Sequence, residues 1–385
     1  LLVVFVSIIG MGIVIPLLPF YGDVFSARPW QVTLLFAGFS AGQFLGELTW
    51  GRLSDRIGRR PVMMITILGA AFGYLGLAFA PTIWLAIGAR FLGGFFAGNM
   101  STIQSYLVDV TPPERLPGRL GLIGSAFGVG FVVGPSLGGF LAHTDAGAAG
   151  FMPPLLLAAG LCVVAGAGVL LFVRESWGGH AKGAPRPGPF DALREALSDA
   201  VLRRLMGSTF FSFMGLSAMW SIVGLWGQAR FDWGPREIAG AMAISGMASA
   251  LSQGGVAGHV VMRIGAVSTV MLSLILTSVF FALQTLIAWP VLAVVILTLG
   301  VSSHTLSQPA TTSLISQAAH PARQGAILGA NAAGSSLSRV IGPMLSGFVF
   351  TGVGPNAPFL LAACLMFPAA WFAWRGGREM RRRVA

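Results

Sequence analysis

Gly51-Arg52-Leu53-Ser54-Asp55-Arg56-Ile57-Gly58-Arg59-Arg60-Pro61 is a charged island in an otherwise apolar sequence. It is echoed 207 residues later by Gly258-His259-Val260-Val261-Met262-Arg263-Ile264-Gly265. The echo keeps the counterparts of Gly51, Arg56, Ile57 and Gly58, but Met262 stands where Asp55 stands, so the acid occurs once. A second series repeats at almost the same offset: Pro113, Arg115, Gly121, Gly134, Pro135 and Gly139 recur as Pro321, Arg323, Gly329, Gly342, Pro343 and Gly347. Self-similarity at one long, fixed offset means that the chain is two versions of one unit.

The sequence around the two islands says what solvent that unit folds in. Of 385 residues, 55% are hydrophobic and 10% charged, whereas soluble domains carry about 25% charged residues. Mean hydropathy is +0.79, and so much apolar surface is compatible with lipid rather than water. The apolar runs are continuous over about 20 residues, which suits helices spanning a core of roughly 30 Å and excludes the alternating pattern of a barrel. Runs at 1–21, 31–50, 62–80, 84–108, 119–142 and 151–173 make a first half. Runs at 205–229, 238–260, 266–287, 290–316, 325–350 and 356–374 make a second. The expected fold is therefore an all-α membrane protein of twelve helices, in two six-helix bundles over 1–173 and 205–385. An even number of spans per half makes the repeats parallel, related by a pseudo-two-fold axis along the membrane normal.

Charge fixes the orientation. Of 24 Lys and Arg, Arg28, Arg230 and Arg236 fall in loops on one side, Arg90 and Arg339 fall inside spans, and the other 19 lie in loops and a tail on the opposite side. The positive-inside rule makes that side cytoplasmic and puts both termini there. The net charge of +11 is thus a topology signal; dispersed over short loops, it does not describe a nucleic-acid surface. The linker, residues 174–204, reads as a Gly/Pro-rich stretch followed by an amphipathic helix with Phe190, Leu193, Leu197, Val201 and Leu205 on one face, suited to the membrane surface. Cys162 and Cys364 are too few and too far apart for a disulfide framework. Neither metal-ligand spacing nor a hydrolase, intramembrane-protease or nucleotide-binding motif is present, so an enzyme is not expected, nor a cofactor.

The island Gly51–Pro61 resembles the signature loop of the major facilitator superfamily, and the resemblance runs through essentially the whole chain. Arg90-Phe91-Leu92-Gly93-Gly94 resembles the superfamily's R-x-x-Q-G element, with Gly93 in place of Gln. Gly121, Gly130, Gly134, Pro135, Gly138 and Gly139 match the antiporter motif of its exporters, and Gly12–Tyr21 (GIVIPLLPFY) is similar to the tetracycline-type and multidrug exporters. The resemblance implies secondary active transport by alternating access: proton-coupled efflux of lipophilic or amphipathic molecules from a bacterial inner membrane. Its implied partners are a small-molecule substrate, protons as coupling ion and the bilayer, with the chain a monomer. An exporter of one defined metabolite, sugar or lipid, or a non-transporting receptor on the same scaffold, are the alternatives.

Candidate residues follow. In the signature loop, Gly51, Asp55, Arg56, Gly58 and Arg59 read as a gate, with Asp55 pairing to a neighbouring span. The antiporter glycines let another backbone approach, and Pro135 permits a bend. Ionisable groups inside spans are costly and few. Glu47, Asp109 and His304 are candidates for proton coupling, since the first span carries no acid. Arg90 and Arg339 are intramembrane charges, and for Glu47 and Arg339 an interhelical salt bridge is an equal alternative. With the first, fourth, seventh and tenth spans around the path, as the resemblance implies, Gln43, Asn99, Gln104, Phe213, Met214, Trp220, Ser303 and Gln308 are candidates for the substrate cavity, where aromatic and Met side chains repack around varied ligands.

Overall fold

The computed structural model describes residues 2–112, 115–176, 189–320 and 323–384; Pro113, Pro321 and most of the Gly/Pro-rich linker stretch lie outside these residues. The described residues are helical nearly throughout: α1 (Leu2–Val14), α2 (Leu18–Val24), α3 (Pro29–Ile57), α4 (Arg59–Ala78), α5 (Ile83–Ala97), α6 (Met100–Val110), α7 (Leu116–Leu141) and α8 (Met152–Phe172). Then come α9 (Pro189–Ser198), α10 (Ala200–Phe231), α11 (Pro235–Leu251), α12 (Ala257–Ile264), α13 (Ala266–Gln284), α14 (Pro290–Ala318), α15 (Gln324–Gly352) and α16 (Ala357–Val384).

Seven helical stretches among the described residues are long and apolar enough to cross a bilayer: Arg59–Ala78, Ile83–Val110, Thr144–Phe172, Ala200–Phe231, Ala266–Gln284, Pro290–Ala318 and Ala357–Arg382. Ile8–Val24 and Gly128–Leu141 are apolar but shorter. Several of the other apolar runs carry charges or helix breaks. Helix α3 is 29 residues long but carries Glu47, Arg52, Asp55 and Arg56 in its last third. A 3-10 turn at Ile15–Leu17, where Pro16 withholds its N–H, splits α1 from α2. A π-helical turn at Ser252–Val256 separates α11 from α12. Helix α15 is long, with Arg339 and many Gly and Ser residues. Backbone left unpaired at such breaks is tolerated at membrane depth only where protein or water satisfies it.

The outer surface is apolar. Phe72, Phe140, Leu171, Phe172, Leu286 and Val291 are all at least 70% exposed, as side chains solvated by lipid would be. Inside, buried hydroxyls turn back on their own helices: Thr66 donates to Met63 O, Thr277 to Ser273 O and Thr311 to Ser307 O, which removes the cost of an orphaned polar group.

The chain divides into two compact units, residues 1–184 with 227–247 and residues 185–226 with 248–385. In the first, α3 packs along α5 and α1 along α7, with α4 against α5 and α8. The α3–α5 contact is made backbone to backbone. A Cβ added at Gly42 would strike Phe91 O, one at Gly94 would strike Phe39 O, and one at Gly98 would lie 2.6 Å from Gln43 O and 2.7 Å from Glu47 N. Close approach of this kind holds helices in lipid, where burying Leu against Leu gains little over lipid contact. In the second unit α13 packs on α14 and α16, and α9 lies against α15. The amphipathic face read in the linker is divided: α9 stops at Ser198, Asp199 Oδ1 accepts from the N–H groups of Val201 and Leu202 at 2.8 and 3.0 Å, and α10 starts there with Val201 and Leu205 fully buried. An Asp at that point is an N-cap, and it breaks the longer helix.

The glycine contact sets a direct test. Gly42→Ala forces α3 away from α5 and is expected to lower the melting temperature of the detergent-purified protein, at a cost of about 1–3 kcal/mol. Gly88→Ala, whose Cβ would meet open space, is expected to leave it unchanged or slightly raised. Equal melting temperatures for the two variants would contradict the backbone-contact account.

Candidate functional site

Helix α3 ends at Gly58, with φ of +104°, and α4 starts at the next residue, so the signature loop is one tight turn between two helix ends. Arg59 folds back into that turn and is buried. Its Nη1 donates to Asp55 Oδ1 at 2.5 Å and to Ser54 Oγ at 2.7 Å, while Nε reaches Asp109 Oδ2 at 3.3 Å. One guanidinium therefore ties the end of α3 to the end of α6. The carboxylate of Glu175, just past α8, accepts the N–H groups of Arg59 (2.9 Å) and Arg60 (3.1 Å), satisfying the unpaired amides of the first turn of α4 at the positive end of its dipole. Any Cβ at position 58 would sit 2.5 Å from Glu175 Oε2. Ser176 Oγ donates to Asp109 Oδ2 at 3.1 Å, and Arg60 Nη2 to Leu170 O at 2.6 Å. The turn thus gathers the ends of α3, α4, α6 and α8.

The sequence pointed to Asp55, Arg59 and Asp109, but Glu175 was missed. The available signal was an acid immediately after an apolar run, on the same side as the signature loop; its partner lies 116 residues away. Arg56 is exposed and Gly51 packs on Ser101. In the second copy Gly265 keeps the turn with φ of +82°, Met262 is 76% exposed, and among the described residues nothing stands within 4 Å of a Cβ at 265.

Deeper in the first unit, Arg90 is buried on α5, its Nε 3.3 Å from Leu35 O and its guanidinium 4.3 Å from the centre of the Phe39 ring. An aromatic face and a carbonyl are the kinds of partner that stabilise a cation withdrawn from water. Asn99, at the break between α5 and α6, donates to Thr66 Oγ1 at 2.7 Å, so its amide is engaged with α4. Gln43 and Glu47 lie on α3 where its backbone meets Gly98, and Gln104 is exposed on α6.

The antiporter glycines divide between two neighbours. A Cβ at Gly130 would meet Ile8, one at Gly134 would lie 2.7 Å from Gly12 Cα, and one at Gly138 would strike Ile13 O, so these three face α1. Pro135 Cδ is 3.0 Å from a Cβ placed on Gly12. Gly139 turns away and would meet Ala239 Cβ at 2.5 Å and Pro235 O at 2.7 Å, on α11. Gly121 lies in the same helix. Near this end of α7 is a cavity of about 530 Å³, lined by Asp23, Phe151, Gln228, Asp232 and Trp233 among others; Gln228 Nε2 donates to Asp23 Oδ2 at 2.7 Å. None of the residues proposed from sequence lines it.

In the second unit three of them come together. The Phe213 ring on α10 has the Arg339 guanidinium 5.7 Å from its centre and the His304 ring edge-on at 5.9 Å. Arg339 Nη2 donates to Ser336 Oγ at 2.8 Å. His304 is 1% exposed. Ser303 and Met214 are also buried, and Trp220 and Gln308 are half-buried. Among the described residues no group of His, Cys, Asp and Glu could hold a metal.

The Major Facilitator Superfamily pattern matches residues 1–338 and 254–384. The chain is similar to the class H tetracycline resistance protein of Pasteurella multocida, 28% identical over 91% of this chain and 88% of that protein. It is similar to multidrug resistance protein 2 of Bacillus subtilis (strain 168), 24% identical over 94% of this chain and 90% of that protein. The crystal structure of the human organic anion transporter MFSD10 (TETRAN) shares the fold with a TM-score of 0.72 at 21% identity, over 97% of each chain. A family pattern matched in both halves, on an all-α, multi-span membrane fold with these helix contacts, identifies the chain: it belongs to the Major Facilitator Superfamily, and it carries small molecules across a membrane by secondary active transport rather than acting as an enzyme.

Proposed function

We propose that this transporter is a proton-coupled exporter of lipophilic or amphipathic small molecules, working as a monomer by alternating access in a bacterial inner membrane. In this reading twelve helices form two bundles, residues 1–173 and 205–385, joined by residues 174–204 with both termini cytoplasmic. The observation that carries it is the packing of α7: Gly130, Gly134 and Gly138 bring its backbone against α1 around Gly12, a close contact that suits an exporter holding a steep gradient. The tetracycline and multidrug resistance proteins that the chain resembles over about nine-tenths of its length support the same direction and substrate class.

The coupling group must change charge and be reached from each side in turn. We assign that role to Glu47, on α3 one turn before the signature loop; each charge it lets across a 100 mV potential supplies about 2.3 kcal/mol. His304 is the second candidate. The Arg59 turn is the gate. Asp55 and Asp109 share one guanidinium, so a movement of α3 relative to α6 must break or remake charged hydrogen bonds, which gives two discrete arrangements rather than a continuum. Arg90, held by Leu35 O and Phe39, keeps a positive charge beside α3 in the same half. Phe213, Met214, Trp220, Ser303 and Gln308 in the other half supply the adaptable wall.

Three outcomes follow. In everted vesicles carrying an internal pH dye, tetracycline or ethidium is expected to drive proton movement with the native chain and not with Glu47→Gln at equal protein level; unchanged movement in the variant removes Glu47 from coupling. Arg90→Ala is expected to insert normally but to transport at least about tenfold more slowly, and normal flux would end its functional assignment. Arg59→Gln removes the charge that Asp55 and Asp109 share and is expected to cost about 1.5–3 kcal/mol in stability, against less than about 0.5 kcal/mol for the exposed Arg56→Gln; thermal melting of the two purified variants compares them.

A further inference from the structure

One face of α16 changes chemistry part-way along the helix. Cys364, Phe367 and Trp371, then Arg375, Arg378 and Arg382, are all exposed, and their spacing of three or four residues keeps them on one side. The opposite side is packed. A Cβ at Gly376 would lie 3.1 Å from Leu205 and one at Gly377 would lie 2.5 Å from Val267, so α10 and α13 cover that side and the stripe looks outward, onto the surface that lipid solvates. The segment from Ala357 to Trp374 carries no charge. At 1.5 Å per residue it is about 27 Å long, close to the ~30 Å of a hydrocarbon core, so the change from apolar to cationic falls at headgroup level. Trp371 and Trp374 stand at that same level, where tryptophan is enriched.

The needs of the helix itself do not account for these charges. The negative end of a helix dipole acts within the last turn, where Arg381 and Arg382 stand, whereas Arg375 and Arg378 come more than a turn earlier. Glu379, the acid of α16, pairs with Arg204 on α10 instead. Each guanidinium rests on a ring four residues before it: Arg375 lies 5.2 Å from the centre of Trp371, and Arg378 lies 4.8 Å from that of Trp374. Both side chains therefore turn back along the helix, toward the hydrocarbon boundary. The positive-inside rule requires basic residues at one end of a span, but it does not require them on the lipid-facing stripe or laid against indole rings.

We propose that Arg375 and Arg378, with Arg382 at the edge, form a surface site for the phosphate of an anionic phospholipid, whose acyl chains lie along Trp371, Phe367 and Cys364. Two planar donor forks one turn apart match phosphate oxygens in pairs, and a basic cluster directly beyond a span attracts anionic lipid. A zwitterionic lipid offers the same phosphate but brings its own cation, which the arginines repel. The site is therefore selective for a head of net negative charge. The inference goes beyond the transport reading and depends on neither the transported substrate nor the coupling ion.

Native mass spectrometry of the full chain released from detergent tests it, with dimyristoyl phosphatidylglycerol and dimyristoyl phosphatidylcholine offered together at equal concentration. The native chain is expected to retain the phosphatidylglycerol at least about fivefold more than the phosphatidylcholine, the effect of one arginine at a membrane surface. Arg375→Gln combined with Arg378→Gln is expected to bring that ratio below about twofold, and Arg375→Lys combined with Arg378→Lys to keep part of it, since charge remains but the fork is lost. Arg194→Gln combined with Arg263→Gln removes the same charge from exposed positions on other helices and is expected to leave the ratio unchanged. Equal retention of the two lipids by the native chain overturns the proposal, and that comparison needs no variant to fold. A ratio that survives the glutamine pair on α16 overturns it as well. So does an equal fall in both glutamine pairs, which would reduce the effect to net charge.

Discussion

A helix surrounded by hydrocarbon gains little by hiding its leucines, because lipid tails are as apolar as they are. What remains is the distance at which two backbones can pass, and the first unit is arranged around that distance. Gly42 and Gly94 admit the carbonyls of Phe91 and Phe39, so α3 and α5 approach along several turns, and Gly12 meets Gly134 and Pro135 where α1 crosses α7. Both contacts decide where charged groups stand. Glu47 is placed by the contact of its own backbone with Gly98, and Arg90 reaches Leu35 O and Phe39 because α3 lies so near.

With helices fixed at contact distance, charge becomes the means of moving them. Arg59 is held by two carboxylates and a hydroxyl, and the turn that carries it is anchored from α8 by Glu175. Ser54 and Asp55 belong to the end of α3, Asp109 to the end of α6, and Glu175 lies just past α8, so a rearrangement of one end changes the hydrogen bonds available to the others. Removing a single partner leaves a partly buried charge uncompensated, which is why such clusters switch between whole arrangements. Among the described residues the turn at Gly265 shows no such cluster, and the cation inside a span of that unit is Arg339, beside Phe213 and His304.

Much of this was legible in the sequence, and what was not has particular causes. The all-α membrane fold followed from composition and the length of the apolar runs, and the repeat showed in Gly51–Gly58 and Gly258–Gly265. The glycines of α7 were read as a packing face; that Gly139 serves a different neighbour than Gly130, Gly134 and Gly138 could not be read, because adjacent residues point 100° apart and the partner is another helix. Gly38, Gly42 and Gly46 on α3 form a small-residue ladder that the sequence displays openly. The polarity of Asn99 suggests a cavity group, and the hydrogen bond from its amide to Thr66 is a contact with another helix that no local pattern shows. Glu175 escaped because its role depends on a turn 116 residues upstream, a distance that no local pattern spans.

Gly58 and Gly265 share one backbone shape, with φ of +104° and +82°, although only the first turn has an acid to its credit at the position of Asp55. A side chain at either glycine would be strained by the backbone alone, whereas the acid at Asp55 has a purpose only while Arg59 and its partners stand beside it. The two turns therefore stand under unequal constraint: replacing the glycine would strain either one, whereas replacing the acid would cost only the turn in which Arg59 uses it. At the exposed Met262 the turn keeps its geometry without the charge.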